Sequence, residues 1–318
     1  FNKKGDNYNI NKASAVFPGN TKINVKGNFS SKLEAFEGNI KFDTEDFRSY
    51  AKWLNFQKIN FFPSNRVRSL GFQSELVVRP GASTLAGLKG FIDSSKFFGE
   101  MRFRWGEVNN LSASLNFDNL NFDIYNPSIN ETDLNNSNVD SETIEKINFS
   151  DLLDYSTEID LNLKISNSVL YGKTLEGLSY SGNLKDQNIK INSLTVNNFD
   201  QLGITSSGEI NFAKTNPEFN LNLKIYSDNT KFLDYYGLPK KLQSIFSGNF
   251  ESNLKLKGTK NSVKSDIESK FGDLILSYIG NINFKDFSFP ILKGDISLKH
   301  SNVGSFIDKK IRINNSLF

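Results

Sequence analysis

The 318-residue chain has no cysteine, one histidine, one methionine and two tryptophans. Without cysteine there is no disulfide, no thiolate zinc site and no cysteine nucleophile, and the redox compartment stays open. His300 stands at the end of a strand pattern with neither a Cys nor a second His at ligand spacing, which favours a structural or solvated ring over a metal ligand or general base. No run approaches the ~18 apolar residues that span a bilayer, and no signal-peptide pattern is present. A dominant charge is also missing. The balance of 38 Lys and Arg against 35 Asp and Glu leaves +3 and a pI near 8.7, too mild and too scattered along the sequence for a nucleic-acid binder. The glycines at 27, 38, 208, 248, 258 and 280 never form GxGxxG or GxxxxGK[ST], so they read as bends or bulges in strands.

What the chain does have is alternation. In Gly208 to Leu238, Ile210 and Phe212 alternate with polar neighbours, Asn216-Pro217 turns the chain, and Phe219, Leu221, Leu223 and Ile225 alternate with Asn220, Asn222 and Lys224. This predicts a hairpin with one apolar face. Asp228 then stands where it can cap a short helix, 228–237, ended by Gly237 and Pro239. The same ending occurs earlier: Phe36, Gly38, Ile40 and Phe42 alternate, and Asp43 leads a helix over 43–54. Gly294, Ile296 and Leu298 with Phe306 give a third, weaker echo. A repeated supersecondary unit points to a repeat-built sheet.

Strand patterns recur every ~8–12 residues, the spacing of a meander. The organisation expected is an N-terminal β module over 1–125, a flexible acidic Asn/Ser-rich loop over 126–148, and a second β module over 149–318. The loop has too few large apolar groups to offset its ordering entropy and is the candidate boundary. The chain starts and ends within pattern, so a segment of a longer protein is expected. The fold class is all-β with a few short helices.

The strand followed by an Asp-led helix, in Lys41-Phe42-Asp43 to Leu54 and in Lys224-Ile225 to Leu238, resembles the AsmA-like family of bacterial envelope proteins. Leu254 to Gly258 with Val263, Ile267 and Gly280 is similar to that family's strand-Gly hairpins, and Leu120 to Tyr125 to one of its closing strands. The resemblance implies an elongated antiparallel meander curled into a groove for phospholipid acyl chains. It implies a non-enzymatic role in outer-membrane biogenesis, in the periplasm of a Gram-negative bacterium, with inner-membrane tethering through a segment outside this chain. No cofactor and no metal are implied.

Patterning alone leaves two fates for the apolar face, a closed sandwich or solenoid core or an open groove. In the groove reading the lining is Phe219, Leu221, Leu223, Ile225, Leu254, Leu256, Ile267, Phe271, Leu274 and Leu276. Asp43 and Asp228 read as structural helix caps rather than catalytic acids. Arg66, Arg68, Arg79, Arg102 and Arg104 fit either anionic head groups or charge-protected strand edges. A second function fits the same pattern: a periplasmic scaffold that assists outer-membrane protein assembly through exposed strand edges. A glycan-cleaving enzyme needs two convergent carboxylates, and no spacing supplies them.

Overall fold

The computed structural model describes residues 2–56, 59, 62–125, 157–213, 216–235, 246, 248–259, 261–283 and 291–301. Two compact units divide between Gln187 and Asn188. The 126–148 stretch lies outside the described residues.

The first unit carries β1 (Asn2–Lys4), β2 (Asn7–Phe17), β3 (Thr21–Ser30), β4 (Ala35–Thr44), α1 (Phe47–Trp53), β5 (Leu70–Arg79), β6 (Ala82–Ile92), β7 (Ser95–Arg104), β8 (Asn109–Asn121), β9 (Thr157–Leu170) and β10 (Lys173–Lys185). Successive strands from β1 to β8 pair antiparallel, as do β9 and β10. The chain is all-β and a meander, as the alternation predicts, with one departure. β8 and β9 pair parallel, from Asn109 opposite Thr157 to Asn121 opposite Val169. A parallel pair needs a long crossover, and the connection 122–156 supplies the length. The strands before and after that connection therefore belong to one ladder, and the unit boundary falls later than the composition suggested.

The second unit carries β11 (Asn188–Phe199), β12 (Leu202–Asn211), β13 (Glu218–Ser227), α2 (Phe232–Tyr235), β14 (Phe250–Thr259), β15 (Ser262–Phe271), β16 (Leu274–Asn283) and β17 (Ile291–His300). All successive pairs from β11 to β17 are antiparallel. Its order of elements copies β2 to β8 of the first unit, with the short helix again after the third strand. The copying extends to a defect. β2 has one extra residue between Ile10 and Ala13 opposite Gly27 and Val25, and β11 has one between Ile191 and Leu194 opposite Gly208 and Ser206. Ile10 stands to Gly27 as Ile191 stands to Gly208, roughly 180 residues on, the mark of an internal repeat. Both glycines are required by close approach: a Cβ on Gly27 would strike the Glu37 carbonyl, and one on Gly208 the Asn220 carbonyl.

The helices are shorter than the sequence suggests, and their leading acids do other things. Asp43 is still strand, paired with Lys22 and Gly71. Pairing continues to Thr44, whose hydroxyl accepts a buried hydrogen bond from Thr21 at 2.7 Å, so α1 begins only after Asp46. Asp46 makes no side-chain cap to the backbone; it accepts from the Ser49 hydroxyl at 2.7 Å, which holds its carboxyl below the usual carboxylate range. Before α2 the turn is fastened by Asn229, whose side-chain oxygen accepts from the Lys231 amide. Among the described residues Asp228 accepts no helix-end hydrogen bond. Residues 236 and 237 of the expected helix lie outside the described residues.

The core of the first unit sits beside α1, where Ala51, Ile59 and Val67 are buried against Phe47, Phe62, Ile92 and Tyr125. Asp93 ties it together. Its carboxylate accepts from the amides of Val67, Arg68 and Ser69 at 2.8, 2.9 and 3.2 Å, and from the Tyr125 hydroxyl at 3.2 Å. Burial, then the Asp93 charge, pushes the Tyr125 phenol up to about 12. Because charged acceptors contribute more than neutral ones, Asp93→Ala is expected to cost about 2–4 kcal/mol in urea unfolding. The phenol adds a pH dependence. Its folded pKa lies above the unfolded value of about 10, so its contribution is level below that pH and is lost between there and about 12, as the unfolded chain ionises first. Tyr125→Phe should flatten that part of the alkaline stability curve.

Candidate functional site

Register fixes which side chains share a face, because antiparallel partners point the same way and successive residues alternate. Leu223 of β13 pairs with Leu254 of β14, Leu254 with Ile267 of β15, Ile267 with Tyr278 of β16, and Tyr278 with Ile296 of β17. Two residues along, Leu221, Leu256, Ser265, Gly280 and Gly294 form the next row, and two the other way Ile225, Ser252, Ser269, Leu276 and Leu298 form another. All ten residues expected to line a groove therefore share one face of one sheet. β11 and β12 extend it through Val196, Ile204 and Ile210.

The rows differ in how far they are covered. Phe219, Leu221, Leu223, Ile225, Leu254, Leu256, Ile267 and Leu276 are only half-buried. Toward β17 the face opens further, with Leu292, Ile296 and Leu298 at 54%, 65% and 54% exposure. At the α2 end it closes. The rings of Phe232 and Phe250 lie 4.8 Å apart, Phe250 and Phe271 4.9 Å, and Phe246 and Phe271 4.8 Å, inside the range of attractive aromatic contact. Phe232, Leu233 and Leu274 are buried there. Phe271 and Leu274 thus belong to an aromatic plug at one end of the face rather than to its open stretch. Comparison with protein-family models, curated proteins and solved structures finds no match.

The first unit repeats the arrangement. Ile23, Phe42 and Phe72 form one row and Val25, Ile40 and Ser74 the next. At its α1 end Trp53 and Tyr50 lie 5.1 and 5.8 Å from Phe17, and Phe42 stacks 5.3 Å from Phe72. Both helices follow the third strand of their unit and stopper the same end of its apolar face. The alternation carried the lining positions of β13 to β16. It gave equal warning of Tyr278, Ile282, Leu292 and Ile296, which share the face.

Polar groups on this face satisfy one another. Ser252 and Ser269 share a buried hydroxyl hydrogen bond of 2.8 Å, and the buried Ser265 donates to the Val263 carbonyl at 3.3 Å. Among the described residues no convergent pair of carboxylates lies on it, since the charged residues of β13 to β15 occupy the opposite parity. There Lys224 and Glu251 pair at 2.9 Å, and this hydrogen bond, with one from Asn253, holds the Glu251 carboxyl below its ordinary range. Among the described residues no group of acidic or histidine side chains is placed to hold a metal ion.

An open face and a closed plug respond differently to truncation. Phe232→Ala should lower stability by about 3 kcal/mol and Leu223→Ala by only about 1–2, because part of the leucine surface stays in water. Urea midpoints of the full chain measure both. A loss of about 3 kcal/mol or more at Leu223 would show that its face is covered like a core.

Proposed function

We propose that the chain is a non-enzymatic lipid-handling module whose apolar β face shields phospholipid acyl chains. The observation that carries this reading is the apolar face whose rows are partly covered over β13 and β14, include the buried Val263 and Tyr278 farther on, and open to the exposed Leu292, Ile296 and Leu298 of β17, with aromatic rings closing the α2 end. Each methylene taken from water onto such a surface contributes about 0.8 kcal/mol, so a shallow site can hold an acyl chain and still release it. Contiguous exposed apolar area beyond a few hundred Å² marks a ligand or partner surface. The resemblance to AsmA-like proteins sets the proposal in the bacterial envelope, with the module periplasmic, tethered to the inner membrane outside this chain, and moving or shielding phospholipid for outer-membrane biogenesis.

A second reading, a scaffold for outer-membrane protein assembly, draws on β17. Every residue from Ile291 to Lys299 is exposed, on both faces of the strand, so that strand offers apolar side chains on both faces to a partner strand.

Native mass spectrometry with lipid extraction, on chain purified without detergent, separates the two. Phospholipid should accompany the wild type and be lost from Leu223→Asp while the circular dichroism of the variant stays that of a sheet. No lipid in either sample, with capture of an unfolded outer-membrane strand peptide, would replace the lipid reading by the scaffold.

A further inference from the structure

The polar side of the first unit holds a feature that its apolar side does not explain. Residues of β2 to β6 line an open recess of about 690 Å³, within the size range of small-molecule sites. Lys12, Lys26, Lys41 and Lys89 rim it, against the single carboxylate of Glu75. Lys41 and Lys89 are the two partners of Gln73, one on each side. Lys26 pairs with Asn39, one diagonal step from Lys41, and Lys12 lies in the extra-residue stretch of β2 that faces Lys26. Diagonal neighbours on adjacent strands are about 7–8 Å apart, within reach of long side chains, so the like charges of such lysines repel. Among the described residues none of the four lysines has an ion pair.

The second unit shows that the fold does not demand this crowding. Its recess, about 610 Å³, lies over the bulged β11 and then β12 to β15, the same five positions of the repeat. Ser193 and Ser207 stand where the first unit has Lys12 and Lys26. Lys224 matches Lys41, and Glu268, partner of Asn253, matches Lys89, partner of Gln73. Lys255 and Asp266 pair across it at 3.9 Å. The charged lining of the second recess, Lys224 and Lys255 against Asp266 and Glu268, cancels. That of the first leaves three positive charges, as many as the net charge of the whole chain. Cations scattered along the sequence are thus gathered by register onto one side of one sheet.

We infer that the β2–β6 recess is a binding site for a multiply charged phosphate-bearing group, a phosphorylated sugar or a head group of the same chemistry. The lysines serve as phosphate partners, a role suited to compact point charges. The amides of Asn24, Asn39 and Gln73, which also line the recess, are hydrogen-bonding groups for hydroxyls. An anion held there relieves the mutual repulsion of the lysines, so binding raises stability. The site is on the opposite side of the sheet from the apolar rows and does not depend on their occupant.

The test gives the first recess the residues of the second, in the full chain: Lys12→Ser, Lys26→Ser and Lys89→Glu together. Wild type and variant are titrated calorimetrically with inositol hexakisphosphate and with glucose 6-phosphate, and floated with phosphatidylglycerol or phosphatidylcholine vesicles. The expected result is saturable binding of one phosphate compound per chain, a rise in melting temperature, and weakening with added salt by screening. The variant should bind at least tenfold more weakly while melting, without ligand, no lower than the wild type. Binding to the soluble phosphates identifies a free phosphosugar; binding only to phosphatidylglycerol vesicles identifies a lipid head group. Equal binding by the variant, or no binding of wild type to any phosphate probe, overturns the proposal. Should the triple variant fold poorly, Lys41→Gln with Lys89→Gln, which keeps side-chain length, must show the same loss.

Discussion

One constraint governs the described structure: among the described residues a sheet accompanied by only short helices has little but its own strands with which to cover its apolar face. Strand register enforces this, because a slip of one residue would exchange the two faces along the whole strand. Leu223, Leu254, Ile267, Tyr278 and Ile296 stay in a single row across five strands because every pair between them keeps its register. The same pairing holds Lys224, Asn253 and Glu268 in a row on the other side. A surface of this kind is apolar by construction, and among the described residues α1 and α2 each cover one end of the face of their own unit.

The repeat gives the two faces different histories within one chain. On the apolar side both units set aromatic rings of a short helix over one end of the face, Tyr50 and Trp53 against Phe17 and Tyr50 against Phe42 in the first, and Phe232 against Phe250 and through it Phe271 in the second. On the polar side they diverge. In its recess the second unit sets Lys224 and Lys255 against Asp266 and Glu268, whereas the first gathers cations. A feature that departs from the local stabilising rule in one copy and obeys it in the other is where a functional demand is expected.

Strand existence, the all-β class and the shared parity of the ten lining residues were legible because period-two alternation is a local signal. So was the repetition of strand and helix at Phe42 and Ile225. What was not legible depended on partners distant in sequence. Asp43 looks like a cap until its pairing with Gly71 is known. Leu274 looks like every other alternating leucine until Phe271 and the rings beside it close over that end. The acidic stretch 126–148 reads as a boundary because composition carries no information about the parallel pairing of β8 with β9. The lysine recess was invisible for the same reason, since its members are separated by up to five strands' worth of chain.

That parallel joint has a bearing on how the first unit assembles. Every other neighbouring pair among β1 to β8 meets through a connection that closes early, whether a tight turn or, between β4 and β5, the α1 segment. β8 and β9 meet only once the chain 122–156 has been closed, and the entropy of closing a loop grows with its length. Non-local pairings of this kind are slow to form. The β9–β10 hairpin, held at its turn by the Asp123 carboxylate accepting from the Tyr171 and Gly172 amides at 2.6 and 2.7 Å, therefore folds as a latecomer. A β8 not yet joined by β9 presents a bare edge, the place at which a foreign strand can compete.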